Sequence, residues 1–348
     1  MAQPRKSTRS RNAAAASRRR TGPSKSTRPS PGGRGKGPGG VAGPLRLVSF
    51  VPKRGGAVRI GAVTSADRVV DLGAVAKKGN VRLAFDPASM VSLIESGRRG
   101  LSQVRGLLAA AGESGAALSE VRLLAPIPKP IRNVHCVGWN YVEHFEEGKL
   151  LRDILQDLPQ HPVFFTKATG AVNGPYEPIP YDPKISTLID WETELAVIIG
   201  KQGKNVPEEK GMEHVFGFCV LNDTSARDIQ QKKHGGQWFK GKGLDGYAPM
   251  GPWIVTADGF EHGSLRVVTR VNGIVKQEGS TSMMHFKVAR LVSELSLGMT
   301  IHPGDIISTG TPPGIGHARK PPEYLKPGDV MESEIQGIGT LRNVITAV

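Results

Sequence analysis

The chain has 348 residues, of which 46 are Lys or Arg and 31 are Asp or Glu, so its formal net charge at pH 7 is +15. It contains no run of about 18 apolar residues, which excludes a predicted membrane-spanning helix. Its two cysteines, Cys136 and Cys219, are too few and too far apart in sequence for a disulfide-built secreted scaffold, and they fit a reducing compartment.

The excess positive charge lies in residues 1–44, which hold 11 Lys or Arg and no acidic residue and leave only +4 for the remainder. Pro, Gly, Ser and Arg dominate this segment, and such a composition predicts a disordered tail. The tail fits an unstructured extension, an organelle-targeting peptide or an arm that binds a polyanion. We expect a cytoplasmic protein, with a mitochondrial location as the alternative, and no nucleic-acid partner except through this tail.

Residues 45–128 are predicted to form a small N-terminal α+β domain. The runs LRLVSF, AVRIGAV and RVVDL are short β-prone segments separated by Gly and charged residues, which indicates a β meander. SMVSLIESG and LSQVRGLLAAAG follow with helical spacing, and SEVRLLAPIPKPIR combines a strand with a Pro-rich linker. We place the domain boundary in that linker, so that a larger domain covers residues 129–348.

The larger domain mixes strand-length apolar runs with isolated helices and lacks regular βαβ alternation. Asn272-Gly273 between two β-prone runs predicts a hairpin. HFKVARLVSELSLG carries one apolar stripe and ends at Gly298, which predicts an amphipathic helix packed on a sheet. The expected fold class is α+β, with a mainly antiparallel or mixed sheet.

The segment STLIDWETELAVIIG places Asp190, Glu192 and Glu194 at alternate positions, which puts them on one face of a strand. Three arrangements would relieve their repulsion: a solvated face, pairing with Lys or Arg, or a divalent cation. LAVIIG reads as a strand covered on both faces, and this disfavours solvation. Asp223 ends another apolar run, so that Glu192, Glu194 and Asp223 are candidate ligands for Mg²⁺, Mn²⁺ or Ca²⁺.

Two further segments carry candidate catalytic residues. His144 and Glu147 are spaced i, i+3 in a helix-like stretch, so the carboxylate can fix the imidazole tautomer in a general-base dyad, although a surface His beside Glu gives the same pattern. Lys242 lies in a Gly-rich segment, predicted to be a loop, where it could stabilise an enolate or oxyanion. Thr311 lies in a Gly-rich turn whose backbone N–H groups could cradle a carboxylate.

Seven collinear motifs resemble the fumarylacetoacetate hydrolase family from about residue 131 to the end of the chain: VGWNYVEHFEE, FFTKATGAVNG, IDWETELAVIIG, FCVLNDTSARDIQ, WFKGKGLDGYAPMGPW, RVNGIVKQEGSTSMM and PGDIISTGTPPGIG. The resemblance implies a β-roll-like α+β domain, usually dimeric, with Mg²⁺ or a similar ion on three acids. The residues matched by motif are Glu192, Glu194 and Asp223 for the metal, His144 and Glu147 for water activation, Lys242 as the active-site lysine, and Gln230 and Thr311 for substrate oxygens. Asp190 then supports the metal ligands.

The function implied is a metal-dependent hydrolase of a C–C bond in a small 2-oxo or β-diketo acid, in the acylpyruvase-like and 2-hydroxyhepta-2,4-diene-1,7-dioate isomerase-like branch. The alternative is an isomerase or decarboxylase of hydroxymuconate-type diacids or oxaloacetate, in aromatic catabolism. A non-enzymatic alternative is an idle metal-binding scaffold with a polyanion-binding tail. The chain departs from relatives at Gly243 and Gly246, which replace hydroxyl residues, and at Trp139, where a smaller aliphatic is common.

Overall fold

The computed structural model describes residues 43–152 and 157–348. The predicted basic tail therefore lies outside the described residues, except for its last two positions. Within the described part of the chain, no helix has both the length and the apolar character needed to cross a membrane.

The first part of the chain forms the predicted meander and helices. Its strands are β1 (Arg46–Pro52), β2 (Arg59–Val63), β3 (Arg68–Asp71), β4 (Ala116–Ala117) and β5 (Val121–Leu123), and its helices are α1 (Leu72–Lys78), α2 (Met90–Glu95) and α3 (Gly97–Ala111). Strands β1, β2 and β3 pair in antiparallel order.

The rest of the chain is mostly strand. Its strands are β6 (Val134–Gly138), β7 (Val163–Lys167), β8 (Val172–Asn173), β9 (Ile179–Tyr181), β10 (Ile189–Asp190), β11 (Thr193–Ile199), β12 (Gly203–Lys204), β13 (Val215–Asn222), β14 (Ser225–Ala226), β15 (Ala248–Thr256), β16 (Arg266–Val271), β17 (Ile274–Ser280), β18 (Thr300–Ile301), β19 (Ile306–Ser308), β20 (Val330–Ile335) and β21 (Gly339–Ala347). Its helices are α4 (Val142–Arg152), α5 (Arg227–Lys232), α6 (Phe239–Lys242) and α7 (Val288–Ser296).

The largest sheet has the strand order β4-β3-β2-β1-β15-β13-β11-β19-β6-β7, and a second has the order β17-β16-β20-β21-β9. Most neighbours are antiparallel, whereas β6 and β19, β8 and β15, and β9 and β21 pair in parallel. This confirms the predicted α+β class with a mixed sheet. Because β1 pairs with β15, the large sheet runs across the predicted domain boundary, and the division near residues 126–130 stays a prediction.

The hairpin and the amphipathic helix form where the sequence predicts them. Asn272 and Gly273 have φ of 52° and 76° and join β16 to β17, as a type I′ turn requires. Helix α7 buries Leu291, Val292 and Leu295, and Gly298 follows it with a φ of 73°.

Strand β11 is buried on both faces, as its apolar sequence predicts. Ile198 belongs to the hydrophobic cluster that includes Leu93 of α2, and Val197 belongs to the cluster that includes Leu291 of α7. Side chains alternate across a strand, so the two hydrophobic clusters pack on opposite faces of β11. The start of this strand is therefore a rigid position for a functional side chain.

Candidate active site

Asp190, Glu192 and Glu194 are buried, although the continuous strand predicted for them is interrupted. The chain leaves strand geometry at Trp191 and Glu192, between β10 and β11. The Glu192 N–H donates to Asn222 Oδ1 (3.2 Å), and its carbonyl accepts from the Asp223 N–H (2.8 Å). Antiparallel pairing of β11 with β13 places Thr193 opposite Asn222, so that both acidic strand ends meet at one edge of the sheet.

Glu192, Glu194 and Asp223 form one cluster, in which one oxygen of each carboxylate lies within 4.8 Å of the others. Two cations pair with its members, and one of them, Lys242, bridges two acids. Lys242 Nζ lies 2.6 Å from Glu192 Oε2 and 2.8 Å from Asp223 Oδ2, and Lys167 Nζ lies 2.5 Å from Asp223 Oδ1. Burial alone lowers the pKa of Lys242, but the charges of Asp223 and Glu192 more than offset this and raise it, so the side chain stays cationic.

Arg227 links this cluster to Asp190. Its guanidinium donates to Asp190 Oδ2 through Nε (2.8 Å), to Glu192 Oε1 through Nη2 (2.6 Å) and to Gln230 Oε1 through Nη1 (3.0 Å). Burial raises the pKa of Glu192, but Lys242 and Arg227 outweigh it and hold that pKa well below its usual range. Asp190 thus supports the cluster through Arg227.

Glu194 differs from its neighbours because, among the residues described, it has no salt-bridge partner. Its Oε2 accepts only from Ser308 Oγ (2.6 Å) and the Gly310 N–H (2.8 Å). Burial, followed by the charges of Asp223 and Glu192, raises the pKa of Glu194 to about 8. An ionised Glu194 therefore needs a further cation.

The donor set fits a divalent ion. Four buried carboxylates face three buried cations in this cluster, which leaves one negative charge uncompensated: the acids are Asp190, Glu192, Glu194 and Asp223, and the cations are Lys167, Arg227 and Lys242. The Tyr141 hydroxyl is buried without a hydrogen-bond partner in the described structure, and burial together with the charge of Glu194 raises its pKa. Three carboxylates are hard ligands that suit Mg²⁺, Mn²⁺ or Ca²⁺.

The predicted contact between His144 and Glu147 is present on α4. His144 Nδ1 lies 2.8 Å from Glu147 Oε1, and Glu147 Oε2 accepts from the Gly314 N–H at 3.0 Å. Because a carboxylate accepts from Nδ1, the neutral ring carries its proton there and leaves Nε2 as the basic atom. The imidazole lines the same cavity as Glu192 and Lys242.

The Gly-rich segment 310–317 cradles carboxylates, as its composition predicts, but these belong to the protein itself. The Gly310 N–H binds Glu194 and the Gly314 N–H binds Glu147. The Gly316 N–H binds Asp190 Oδ1 at 2.7 Å. The segment therefore ties α4 to the acidic cluster.

Gln230 and Thr311 also line this cavity. Because Gln230 Oε1 accepts from Arg227, its amide NH₂ is the part left for a ligand. The Thr311 hydroxyl donates to the Thr193 carbonyl (3.0 Å) and accepts from Gln277 Nε2 (2.9 Å). Both side chains are oriented by protein contacts before any ligand binds.

Lys242 lies on the short helix α6, so the prediction of an irregular loop there is wrong. Gly241 permits this helix because a Cβ at that position would lie 2.5 Å from the backbone nitrogen of Gln230. Close packing of α6 on α5 carries Lys242 into the interior, while Lys240 stays exposed.

The structure adds two buried cations that the sequence analysis did not identify. Lys167 ends the apolar run VFFT, and Arg227 follows the Asp223 strand end. The signal for Lys167 was a basic residue within a strand-length apolar run, since Lys is almost never fully buried unless it is paired.

Comparisons with known proteins agree with this geometry. Residues 133–346 match the family model "Fumarylacetoacetate (FAA) hydrolase C-terminal". The chain is 42% identical over 266 residues, 75% of this chain and 82% of the relative, to "Oxaloacetate tautomerase FAHD2A, mitochondrial" of Homo sapiens. It is 40% identical over 295 residues, 82% of this chain and 95% of the relative, to "Oxaloacetate tautomerase YisK" of Bacillus subtilis (strain 168).

Among solved structures, the chain is similar to a maleylpyruvate hydrolase from Sphingobium sp. SYK-6 in complex with manganese(II) ion and pyruvate. The TM-score is 0.66 at 28% sequence identity, over 87% of this chain and 99% of that one. The family match covers the whole acidic cluster and the dyad. The chain therefore belongs to the fumarylacetoacetate hydrolase family of enzymes.

Proposed function

We propose that this chain is a divalent-metal-dependent tautomerase that interconverts the keto and enol forms of oxaloacetate or a closely similar 2-oxo dicarboxylate. The sequence motifs favour C–C hydrolysis as the first reading and isomerisation as the second. The names of the two relatives support the second reading, because both are oxaloacetate tautomerases at 40% identity or more.

The observation that carries the proposal is the buried carboxyl group of Glu194, which has no cation partner among the described residues and lies in a cavity shared with His144. Glu192, Glu194 and Asp223 would hold the ion, which as a Lewis acid would bind the carboxylate and adjacent carbonyl oxygen of a 2-oxo acid. That carbonyl would acidify the neighbouring carbon, which is the chemical requirement for enolisation.

The protein residues then move one proton. His144 Nε2 takes a proton from the carbon beside the carbonyl and returns it to the oxygen, with Glu147 fixing the ring. Lys242 has three donors and uses two on Glu192 and Asp223, which leaves one for the developing enolate oxygen.

Hydrolysis is the second candidate, because the similar solved structure is a maleylpyruvate hydrolase. In that reaction His144 takes its proton from water instead of from carbon. Both candidates need the same acids and differ in the atom that faces the imidazole.

Neither candidate reaction determines the cellular compartment of the protein. The human relative is named as mitochondrial, which supports the mitochondrial alternative for this chain. The candidate targeting segment, residues 1–44, lies almost wholly outside the described structure.

The experiment follows the enol absorbance of oxaloacetate with the full chain and Mg²⁺ or Mn²⁺, and pyruvate through a lactate dehydrogenase coupling. We expect faster enol decay than with metal alone, no more pyruvate than metal alone produces, and loss of the effect in Glu192→Gln. The exposed Glu278→Gln variant is the matched control and keeps full activity. Pyruvate formed above the metal-only rate and in step with enol loss, or no acceleration of enol decay over metal alone, refutes the tautomerase proposal.

A further inference from the structure

The cavity is lined by two chemically distinct groups of side chains. The polar group includes Glu192, Glu194, Lys242 and Gln230. The aromatic group, which we call the aromatic wall, consists of Trp139, Phe165 and Trp238, and the centroid of the Phe165 ring lies 5.2 Å from Lys242 Nζ. A substrate held by its carboxylate at the acids therefore shares the cavity with this wall.

The rings of the wall are packed against one another. The Trp139 and Trp238 rings meet edge to face with centroids 5.1 Å apart, and Phe165 meets Trp238 in the same way at 5.1 Å. Such contacts are favourable beyond their buried area. Phe145 of α4 adds a further edge contact to Trp139 at 5.9 Å. The wall is thus one continuous cluster of aromatic rings in edge-to-face contact.

The wall joins the two segments that carry the candidate catalytic residues. Trp139 lies three residues before α4, which bears His144, and Trp238 immediately precedes α6, which bears Lys242. At Gly138 an added Cβ would lie 2.5 Å from the Trp238 ring, so this indole already contacts the backbone. The Trp238 ring is therefore held against the end of β6.

The backbone at Trp139 supports a specific role for its side chain. Its φ is 56°, a left-handed conformation that is unfavourable for a bulky side chain and free of steric cost for glycine. The ring contacts with Trp238 and Phe145 offset this strain. A glycine at this position would therefore remove the ring without straining the chain.

The geometry points to Trp139 and Trp238 as the residues that limit the length of the 2-oxo acid this enzyme accepts. The inference rests on the proposed function, because it takes a short 2-oxo acid as the substrate. The acidic cluster fixes one end of the ligand and the aromatic wall fixes the distance available to the other. In such a pocket one methylene group changes the kcat/KM of a substrate by about 10- to 200-fold.

The test compares the wild type with Trp139→Gly and Trp238→Ala on oxaloacetate and on 2,4-dioxo acids with progressively longer alkyl ends. All of these substrates enolise, so enol absorbance gives kcat/KM for each in one assay. We expect the wild type to lose at least about tenfold per added methylene beyond the limit. In both variants the ratio of long to short substrates rises by about tenfold or more, mainly through KM.

Trp253→Ala is the matched control, because this tryptophan lies outside the cavity and packs under Arg46. In this variant the ratio of kcat/KM for long substrates to kcat/KM for short ones should stay at the wild-type value. Trp139→Phe keeps a ring in the wall and restores most of the discrimination. Mn²⁺ titration of each variant checks that the acidic cluster is intact.

An unchanged ratio in Trp139→Gly and Trp238→Ala, with Mn²⁺ binding retained, overturns the inference while leaving the tautomerase proposal standing. A wild type that fails to accelerate oxaloacetate tautomerisation overturns the proposed function instead. Equal loss of kcat on all substrates, without a change in their ratio, assigns the indoles to structure and also overturns the length limit.

Discussion

Metal binding to this protein is expected to release a proton, and the proton comes from Glu194. Its carboxyl group is buried beside two other carboxylates and accepts hydrogen bonds only from uncharged donors, Ser308 and Gly310. Burial and the neighbouring charges raise the pKa of Glu194 to about 8, so the metal-free group holds a proton at neutral pH. A metal ligand must be deprotonated, and the ion must therefore displace that proton.

The size of the effect follows from the pKa. At pH 7 about nine in ten Glu194 side chains carry a proton in the metal-free protein, and at pH 9 about one in ten does. Binding should release about 0.9 proton at pH 7 and about 0.1 at pH 9. The apparent Kd should fall about tenfold between these values, equivalent to about 1.4 kcal/mol.

Isothermal titration with Mn²⁺ in two buffers of different ionisation enthalpy measures the protons released at each pH. The Glu194→Gln variant, which is neutral and similar in shape, should bind more weakly and lose the pH dependence. Proton release near zero at pH 7, or release that persists in Glu194→Gln, refutes the assignment. Persistent release would identify Lys242 as the source, since its ammonium lies between two of the other ligands.

Three further outcomes are expected. Gly314→Ala adds a side chain at a φ of 102° and displaces the N–H group that binds Glu147. The kcat should fall by about 10- to 100-fold while the affinity for Mn²⁺ stays unchanged, and full activity would contradict this expectation. Arg227→Met leaves the buried Asp190 without an ion-pair partner among the described residues and should lower the free energy of unfolding in urea by about 3–5 kcal/mol, whereas the exposed Arg266→Met should change it little. Leu291→Ala should lower the free energy of unfolding by about 2–5 kcal/mol in the same assay, because it leaves a cavity under α7. The folded variant should retain its kcat.

Local patterns in the sequence were sufficient to bring the candidate ligands together. Glu194 is the second residue of a strand buried on both faces, and Asp223 follows the end of another apolar run. If two such strands are antiparallel neighbours, the start of one meets the end of the other. The dyad of His144 and Glu147 needs only the i, i+3 spacing of a helix, because it is local in the chain.

The cations could not be assigned in the same way, because their partners are distant in sequence. Lys167 reaches an acid 56 positions away, and Arg227 bridges acids that lie 37 and 35 positions before it. Nothing in local periodicity selects one lysine from many for such a contact. From the sequence, ion pairing with Lys or Arg and binding of a divalent ion are alternative ways to relieve the repulsion among the acids. In the structure three of the acids have cationic partners, and Glu194 is the one that remains for an ion.

The Gly-rich segment 310–317 illustrates another limit. Its composition correctly predicts backbone N–H groups that bind carboxylates, because glycine permits the left-handed conformations found at Gly310 and Gly314. Which carboxylates it binds depends on where α4 and β10 pack, and this is a tertiary property. The bound groups are Glu147 and Asp190 as well as Glu194.

The charge of the cluster also relates to the charge of the proposed substrate. With Glu194 protonated, as in the metal-free protein at pH 7, the buried cluster has no net charge, since its three ionised acids face Lys167, Lys242 and Arg227. Binding of a divalent ion with release of that proton brings the net charge to about +1, in a site where burial strengthens every electrostatic interaction. Such a site has no net attraction for an acid before the ion binds and attracts a dicarboxylate afterwards. Metal binding should therefore precede substrate binding, and a dianion such as oxaloacetate should gain more from the loaded site than a neutral keto compound of the same length.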